Sequence, residues 1–338
     1  MKHVFILDPE FFREQQWKFQ NICDNIDLFF RKQARSEYSV HTPRYPREST
    51  GIIREQYETI KTGETLRIYA IGGDEIFFDC VNGTAGIPNA ELAFVTCGNT
   101  DSFLKILGIE KRDLSKNLEA LTTAPSLQTD IITAGNQIAL NGCMAGIVAA
   151  QVAKQKKFIL GKKEDKLSLF FRMAASFILK TRVLFDRETV NHQYTITIDG
   201  LDHSGKYSHI GIANGPYYDG NKIASLTAKP DDGVLDITLL KSARAFSTAG
   251  SLRKLWRGII PSGGITLRGR SVSVKSDVPF WIQLDGELIQ DTMVNFAVQP
   301  GAIQIISVNN NRYEQNITDR NIQNRGEQEQ MQKELNYG

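Results

Sequence analysis

The chain has little of what marks a metalloenzyme or a secreted scaffold. Its 338 residues include only four cysteines (Cys23, Cys80, Cys97 and Cys143), far apart and in no metal-type pair. Isolated thiols of this kind suit a reducing compartment and exclude a disulfide framework. The five histidines are scattered and form no cluster, which argues against a zinc enzyme. An excess of charge is missing too: 40 Lys and Arg against 38 Asp and Glu give a net +2. Nucleic acid would need a basic domain or stripe, so no nucleic-acid partner is expected. No uncharged apolar run approaches the length of a membrane-spanning helix. The opening Met1–Pro9 is charged too early for a signal peptide. These absences predict a cytoplasmic chain whose membrane contact, where it occurs, is peripheral.

What is present is enough for a large core, since 41% of the residues are hydrophobic, and the length favours two domains. Strand and helix patterns alternate through the first third. Val4–Leu7, Tyr38–Thr42, Leu66–Ile71 and Glu91–Thr96 read as strands. Gln15–Gln33, Ser49–Thr62, Glu75–Val81 and Asp101–Leu107 read as helices, with Ser49 an N-cap, Gly63 a stop and Asn82-Gly83 closing the third. That alternation predicts a parallel sheet with helices on both sides. The character changes after Thr129. Gln193–Asp199 alternates with period two, and Ser271–Lys275, Phe280–Leu284, Glu287–Ile289, Val294–Val298 and Ala302–Val308 follow as short strands. Asp285-Gly286 is a hairpin signal, because both turn positions favour positive φ, and Pro300-Gly301 is a second turn pair. Leu167–Phe185 is an apolar helical interruption. The domains are therefore placed at 1–129 and 130–308. The polar tail 309–338 either packs back on the first domain or is disordered.

The stretch Leu66–Asp74 carries the most information. An apolar strand runs into Gly72-Gly73 and then an acid. Paired glycines let the backbone approach something bulky, and the carboxyl end of a parallel strand is where open α/β sheets place ligands. Asp74 there suits a metal or a hydroxyl, and equally a helix N-cap.

Gly72-Gly73-Asp74, Val81-Asn82-Gly83 and Gly98-Asn99-Thr100-Asp101-Ser102-Phe103 resemble the nucleotide-binding half of the diacylglycerol kinase catalytic-domain family, which includes bacterial lipid kinases and sphingosine kinases. Ala213–Gly220, Asp231–Asp236 and Asp285-Gly286-Glu287 resemble segments of its second half. The resemblance covers about residues 3–308. It implies a Rossmann-like three-layer α/β domain, as in NAD kinases and diacylglycerol kinases, then an antiparallel β-sandwich domain, with the active site in the cleft between. It implies ATP and Mg²⁺, a diacylglycerol-like membrane lipid alcohol as acceptor, and allows a homodimer.

By the same resemblance Glu287 is the general base that takes the acceptor hydroxyl's proton, and Asp74 positions Mg²⁺ or that hydroxyl. Thr42, Gly72, Gly73, Gly98 and Asn99 meet the nucleotide. Asp8 and Glu75 stand at further positions of that nucleotide set. Asp232 holds a structural Mg²⁺, with backbone carbonyls from Lys229 and Val234. Asp285 is a turn former. Two basic stretches suit an anionic bilayer: Lys154, Lys156, Lys157, Lys162 and Lys163 around Phe158–Leu160, and Arg253, Lys254 and Arg257 among Leu252, Leu255, Trp256 and Ile259.

The departures lie in the nucleotide half. Gly-Gly-Asp-Gly-Thr is here Gly72-Gly73-Asp74-Glu75-Ile76, and Asn-Pro-x-Ser-Gly is Asp8-Pro9-Glu10-Phe11-Phe12. Glu75 places a negative charge beside the expected phosphates, a repulsion of roughly 4 kcal/mol for unit charges at 4 Å and intermediate dielectric. Two other readings follow: a lipid- or nucleotide-binding regulatory relative without turnover, and an NAD kinase-like enzyme. Asp285-Gly286-Glu287 and Asp232 favour the lipid branch.

Overall fold

An apolar run with no polar break is the pattern of a strand covered on both faces. Two mainly apolar strands centre the first part of the chain: β1 (Lys2–Leu7) and β3 (Leu66–Gly72) are buried at every residue, Lys2, His3 and Arg67 included. The computed structural model describes residues 1–13, 15–32, 37–96, 114–160, 182–218 and 222–307. The chain divides into two compact units, one of Met1–Thr129 with the chain from Gly301 onward, the other of Asp130–Tyr218 and Lys222–Pro300.

In the first unit β2 (Glu37–His41), β1, β3 and β4 (Ala90–Thr96) lie side by side, all parallel. Helices α1 (Pro9–Phe12), α2 (Gln16–Lys32), α3 (Glu48–Glu58) and α4 (Asp74–Thr84) form the crossovers, and α5 (Leu114–Thr123) follows β4. Alternate strand residues divide between the faces. Phe5, Leu7, Tyr69 and Ile71 join Phe12, Ile26, Phe30, Leu118 and Leu121 in one core, so α1, α2 and α5 cover that face. Helices α3 and α4 pack against each other, α3 on β1 and β3, α4 on β3 and β4. This is the doubly wound α/β architecture expected.

Several boundaries moved, each for a local reason. Ser49 does not cap α3. The cap is Arg47, left-handed at φ 70°, and its N–H is held by Asp79 Oδ2 at 2.7 Å. Ser49 lies one residue inside the helix and is fully buried. The helix stops at Glu58, short of Gly63, which sits in a later turn at φ 83°. Gly83 does not end α4, which runs to Thr84. A Cβ there would meet Ile53 Cδ1 at 2.9 Å and Thr50 Cα at 3.1 Å, so this glycine brings α3 and α4 together.

The second unit is antiparallel. It begins with most of β5 (Ser126–Ala134), then β6 (Gln137–Ala139), β7 (Gly142–Gly146), helix α6 (Ile147–Leu160) and a short α7 (Arg187–Val190). Strands β8 (His192–Ile198), β9 (Leu201–Asp202) and β10 (Gly205–Ala213) follow. After the two-residue β11 (Tyr217–Tyr218) and β12 (Lys222–Ile223) come β13 (Leu235–Lys241), α8 (Ala245–Leu255), β14 (Gly264–Gly269), β15 (Ser271–Leu284) and β16 (Glu287–Ile306). Strands β10 and β15 each change partner along their length. Both pair with β8 at one end and β7 at the other, and each has a register shift between (Tyr207/His209 and Lys275/Phe280). Long strands that switch sheets in this way build a two-layered β core.

The expected strands 271–275 and 280–284 are thus one strand, and the gap read between them is its irregularity. Pro300-Gly301 is not a turn between strands. β16 runs through it, pairing with β15 up to Ala297 and with β4 at Gln304 and Ile305. The second domain therefore ends at Pro300 and not at 308, because the last segment belongs to the parallel sheet. Expectations for Gly98, Asn99, helix Asp101–Leu107, most of Leu167–Phe185 and the tail 309–338 fall outside the described residues.

Candidate active site

Parallel pairing aligns the carboxyl ends of the first unit's strands. Ile6 is level with His41, Leu7 with Ile71, and Gly72 with Thr96. Thr42, Asp8 and Gly73 are therefore the residues that leave neighbouring strands at one edge of the sheet. Gly73 is the N-cap of α4 in extended conformation, and Asp74 and Glu75 form that helix's first acidic turn. Asp74 is thus inside the helix and not its cap. Glu75 is exposed, whereas Ile76 is buried in the core.

Asp8 occupies this turn. Its Oδ1 accepts from the N–H groups of Glu10 (3.0 Å) and Phe11 (3.3 Å), and its Oδ2 accepts from Gly73 N–H at 3.2 Å. A Cβ on Gly72 would stand 2.2 Å from Asp8 Cβ, so the close approach at this glycine is to Asp8 itself. The Gly73 N–H, the donor a phosphate would need at this turn, is taken by the Asp8 carboxylate.

In the second unit three sequence-predicted segments converge on residues 130–142. Asp285 and Gly286 adopt φ 46° and 101°, the positive values expected of the hairpin between β15 and β16. The Asp285 carboxylate accepts N–H groups from Leu140 (2.5 Å), Asn141 (3.0 Å) and Gly142 (2.9 Å). Burial lifts its pKa from 3.8 to about 6, against the pull of those three donors. Asn214, fully buried, donates to the carbonyls of Asp130 (2.9 Å) and Leu140 (2.8 Å). Gly233, at φ 69°, donates to Asp130 Oδ2 at 2.7 Å. Glu287 opens β16 opposite Leu284, with its side chain 28% exposed and its Oε1 3.5 Å from Lys156 Nζ.

Asp232 has a cation partner within the chain. Its carboxylate is paired with the Arg268 guanidinium, which also donates through Nε to Asp236 at 2.9 Å. Asp236 and Arg268 are direct cross-strand partners in β13 and β14, so the sheet register places the arginine there. Among the described residues no group of three or more His, Cys, Asp or Glu is arranged to hold a metal. The Mg²⁺ set expected on Lys229, Asp232 and Val234 has one carboxylate and two backbone carbonyls, so it is not a cluster of that kind, and its carboxylate is bonded to the Arg268 guanidinium.

Sequence reasoning missed Asp130, Lys156 as the partner of Glu287, and Arg268. Only Asp130 left a signal, as an acid leading the apolar Ile131-Ile132. Of the basic stretch at 252–259, Leu252 is buried in a core with Met144, Ile147 and Val183, and Leu255 is buried as well, so neither is offered to a bilayer. No described helix is long and apolar enough to cross a membrane. A cavity of ≈ 20 Å³ beside Met144, His209, Ile212, Tyr217 and Trp256 has room for about one water and none for an acyl chain. Burial lowers His209 there to about 4, which keeps it neutral.

Two family models match the chain. One is the diacylglycerol kinase catalytic domain, over residues 18–134, and the other the YegS C-terminal NAD kinase beta sandwich-like domain, over residues 170–307. A Staphylococcus aureus protein provisionally named a lipid kinase is 27% identical over 276 residues, covering 78% of this chain and 85% of that protein. A Bacillus anthracis structure, provisionally described as a diacylglycerol kinase, superposes with TM-score 0.64 at 19% identity, over 90% of this chain and 94% of its own. A second from that organism, described as a diacylglycerol kinase, gives 0.62 at 16%, over 90% and 96%. At those identities the structural likeness establishes the fold: an N-terminal α/β domain and a C-terminal β-sandwich.

Proposed function

The chain belongs to the diacylglycerol kinase catalytic-domain family, and from that we propose an ATP-dependent lipid kinase that phosphorylates the hydroxyl of diacylglycerol or a similar lipid alcohol. The observation that carries the reading is the hairpin at Asp285-Gly286. It holds Glu287, a partly exposed carboxylate, at the start of a strand whose turn is fixed by three backbone N–H bonds to Asp285. In the proposed step the acceptor oxygen bonds to the γ-phosphorus and the bond from γ-phosphorus to the β,γ-bridging oxygen breaks. Glu287 takes the hydroxyl proton, and ADP leaves. ATP supplies the phosphoryl group and arrives with a divalent cation that screens its charge. The Gly72-Gly73 turn and Thr42, at the carboxyl edge of the parallel sheet, are the proposed nucleotide contacts, with Asp74 at the head of α4.

Peripheral membrane contact is proposed at an exposed aromatic pair. Phe246, on α8, is 82% exposed and Phe185 60%, with ring centroids 5.5 Å apart, and Arg253 and Lys254 lie further along the same helix. Aromatic rings beside cations suit an anionic bilayer surface.

The test is transfer of radiolabel from γ-labelled ATP to a lipid panel that includes diacylglycerol. Glu287→Gln should abolish transfer while leaving thermal unfolding unchanged. Near-normal turnover in that variant removes Glu287 from the mechanism. A regulatory relative without turnover is the second reading, favoured by the carboxylate on Gly73 N–H. Absence of MgATP binding at millimolar nucleotide would select it.

A further inference from the structure

The paired-glycine turn already holds an anion, and that anion is part of the chain. Asp8 leaves β1 with its own N–H on the Ile71 carbonyl at 2.9 Å, which fixes its backbone beside the end of β3. From there one carboxylate oxygen caps α1 and the other takes the Gly73 N–H at 3.2 Å. Gly72 has no side chain to prevent this, and a Cβ on Gly73 would still be 3.7 Å from Asp8 Oδ2. A phosphate oxygen bound at this turn needs the same N–H. It would meet a full negative charge at contact distance, where like charges repel strongly.

We infer that Asp8 competes with nucleotide phosphate for the Gly73 N–H and thereby sets how tightly the site takes phosphate-bearing ligands. The inference rests on the ATP-dependent reading above and adds a determinant of affinity to it. The site admits a triphosphate when the Asp8 carboxylate swings off the turn. Its charge, more than its shape, opposes entry, because the cap on Glu10 and Phe11 is separable from the bond to Gly73.

Asp8→Asn separates the two roles. Asparagine caps a helix about as well as aspartate, and it removes the charge. Calorimetric titration of the full chain with ATP in the presence of Mg²⁺ should give binding about tenfold tighter in the variant than in the wild type, the scale of one charge-assisted hydrogen bond. Adenosine has no phosphate to meet the turn, so its affinity should not change. Equal ATP affinity in the two proteins overturns the inference and leaves the nucleotide reading standing. An equal gain for adenosine and ATP also overturns it, because that is the mark of a general rearrangement. Absence of ATP binding in both proteins removes the nucleotide reading and the competition together. Should Asp8→Asn fail to fold, Asp8→Ser keeps a neutral cap on the same N–H groups and carries the same expectations.

Discussion

Replacing Asp285 by asparagine should make the protein less sensitive than wild type to a rise in pH between about 4 and 7. Burial holds the Asp285 carboxyl at about 6 in the folded state against 3.8 for the free group. The folded chain therefore binds this proton more tightly than the unfolded chain does. The stabilisation is complete below about pH 4 and is lost as pH rises through 6. Spread over that interval, the loss is about 3 kcal/mol, since each tenfold change in proton affinity is 1.36 kcal/mol. Asparagine is neutral throughout and tolerates the left-handed φ of 46° that the position requires. Urea denaturation of both proteins at pH 4, 5, 6 and 7 isolates this group, because every other titration is common to the pair. The stability of Asp285→Asn minus that of wild type should climb by about 2 kcal/mol from pH 4 to 7, the share of that total which falls between these two pH values. A flat difference, or one that falls, would show that the three N–H groups outweigh burial, and the account of this hairpin would then be wrong.

Two further changes probe the proposed surfaces. Glu75→Gly should tighten ATP binding about fivefold at low salt, the upper range for one exposed charge, and less at high salt; unchanged affinity in calorimetry would give Glu75 no part in nucleotide repulsion. Phe246→Ser should lower the fraction of protein that sediments with anionic phosphatidylglycerol vesicles several-fold, and equal sedimentation would exclude this aromatic pair as a bilayer contact.

Much of the first unit was legible because its physics is local. Val4–Leu7 and Ile68–Ile71 are short apolar runs, and Gly72-Gly73-Asp74 marks the passage from strand to helix. Asp285-Gly286 was legible for the same reason: a two-residue turn is encoded by the two residues that make it. What the sequence concealed depends on partners far along the chain. Gly83 reads as a helix stop, yet it is a contact with α3 that only packing reveals. Asp8 and Gly73 are 65 residues apart, and nothing near Asp8 says that its carboxylate ends on that amide. Arg268 reaches Asp232 across 36 residues because β13 and β14 are in a register that sets it opposite Asp236. Pro300-Gly301 has the composition of a turn and Gly301 takes a left-handed φ of 58°, but the chain on both sides finds strand partners, so the pair redirects one strand and does not end it.

The route of β16 bears on how the protein is made. Residues 1–129 leave the ribosome before residues 301–306, yet the strand that borders β4 is supplied by Gln304 and Ile305. Until synthesis reaches them, the outer edge of β4 lacks this neighbour, and an exposed parallel edge is a template for stray association. The parallel sheet is thus completed only after the whole second unit has been made. A fragment cut after Thr129 would inherit that open edge for good, so biochemical dissection by simple truncation should yield an aggregating product instead of an isolated α/β module.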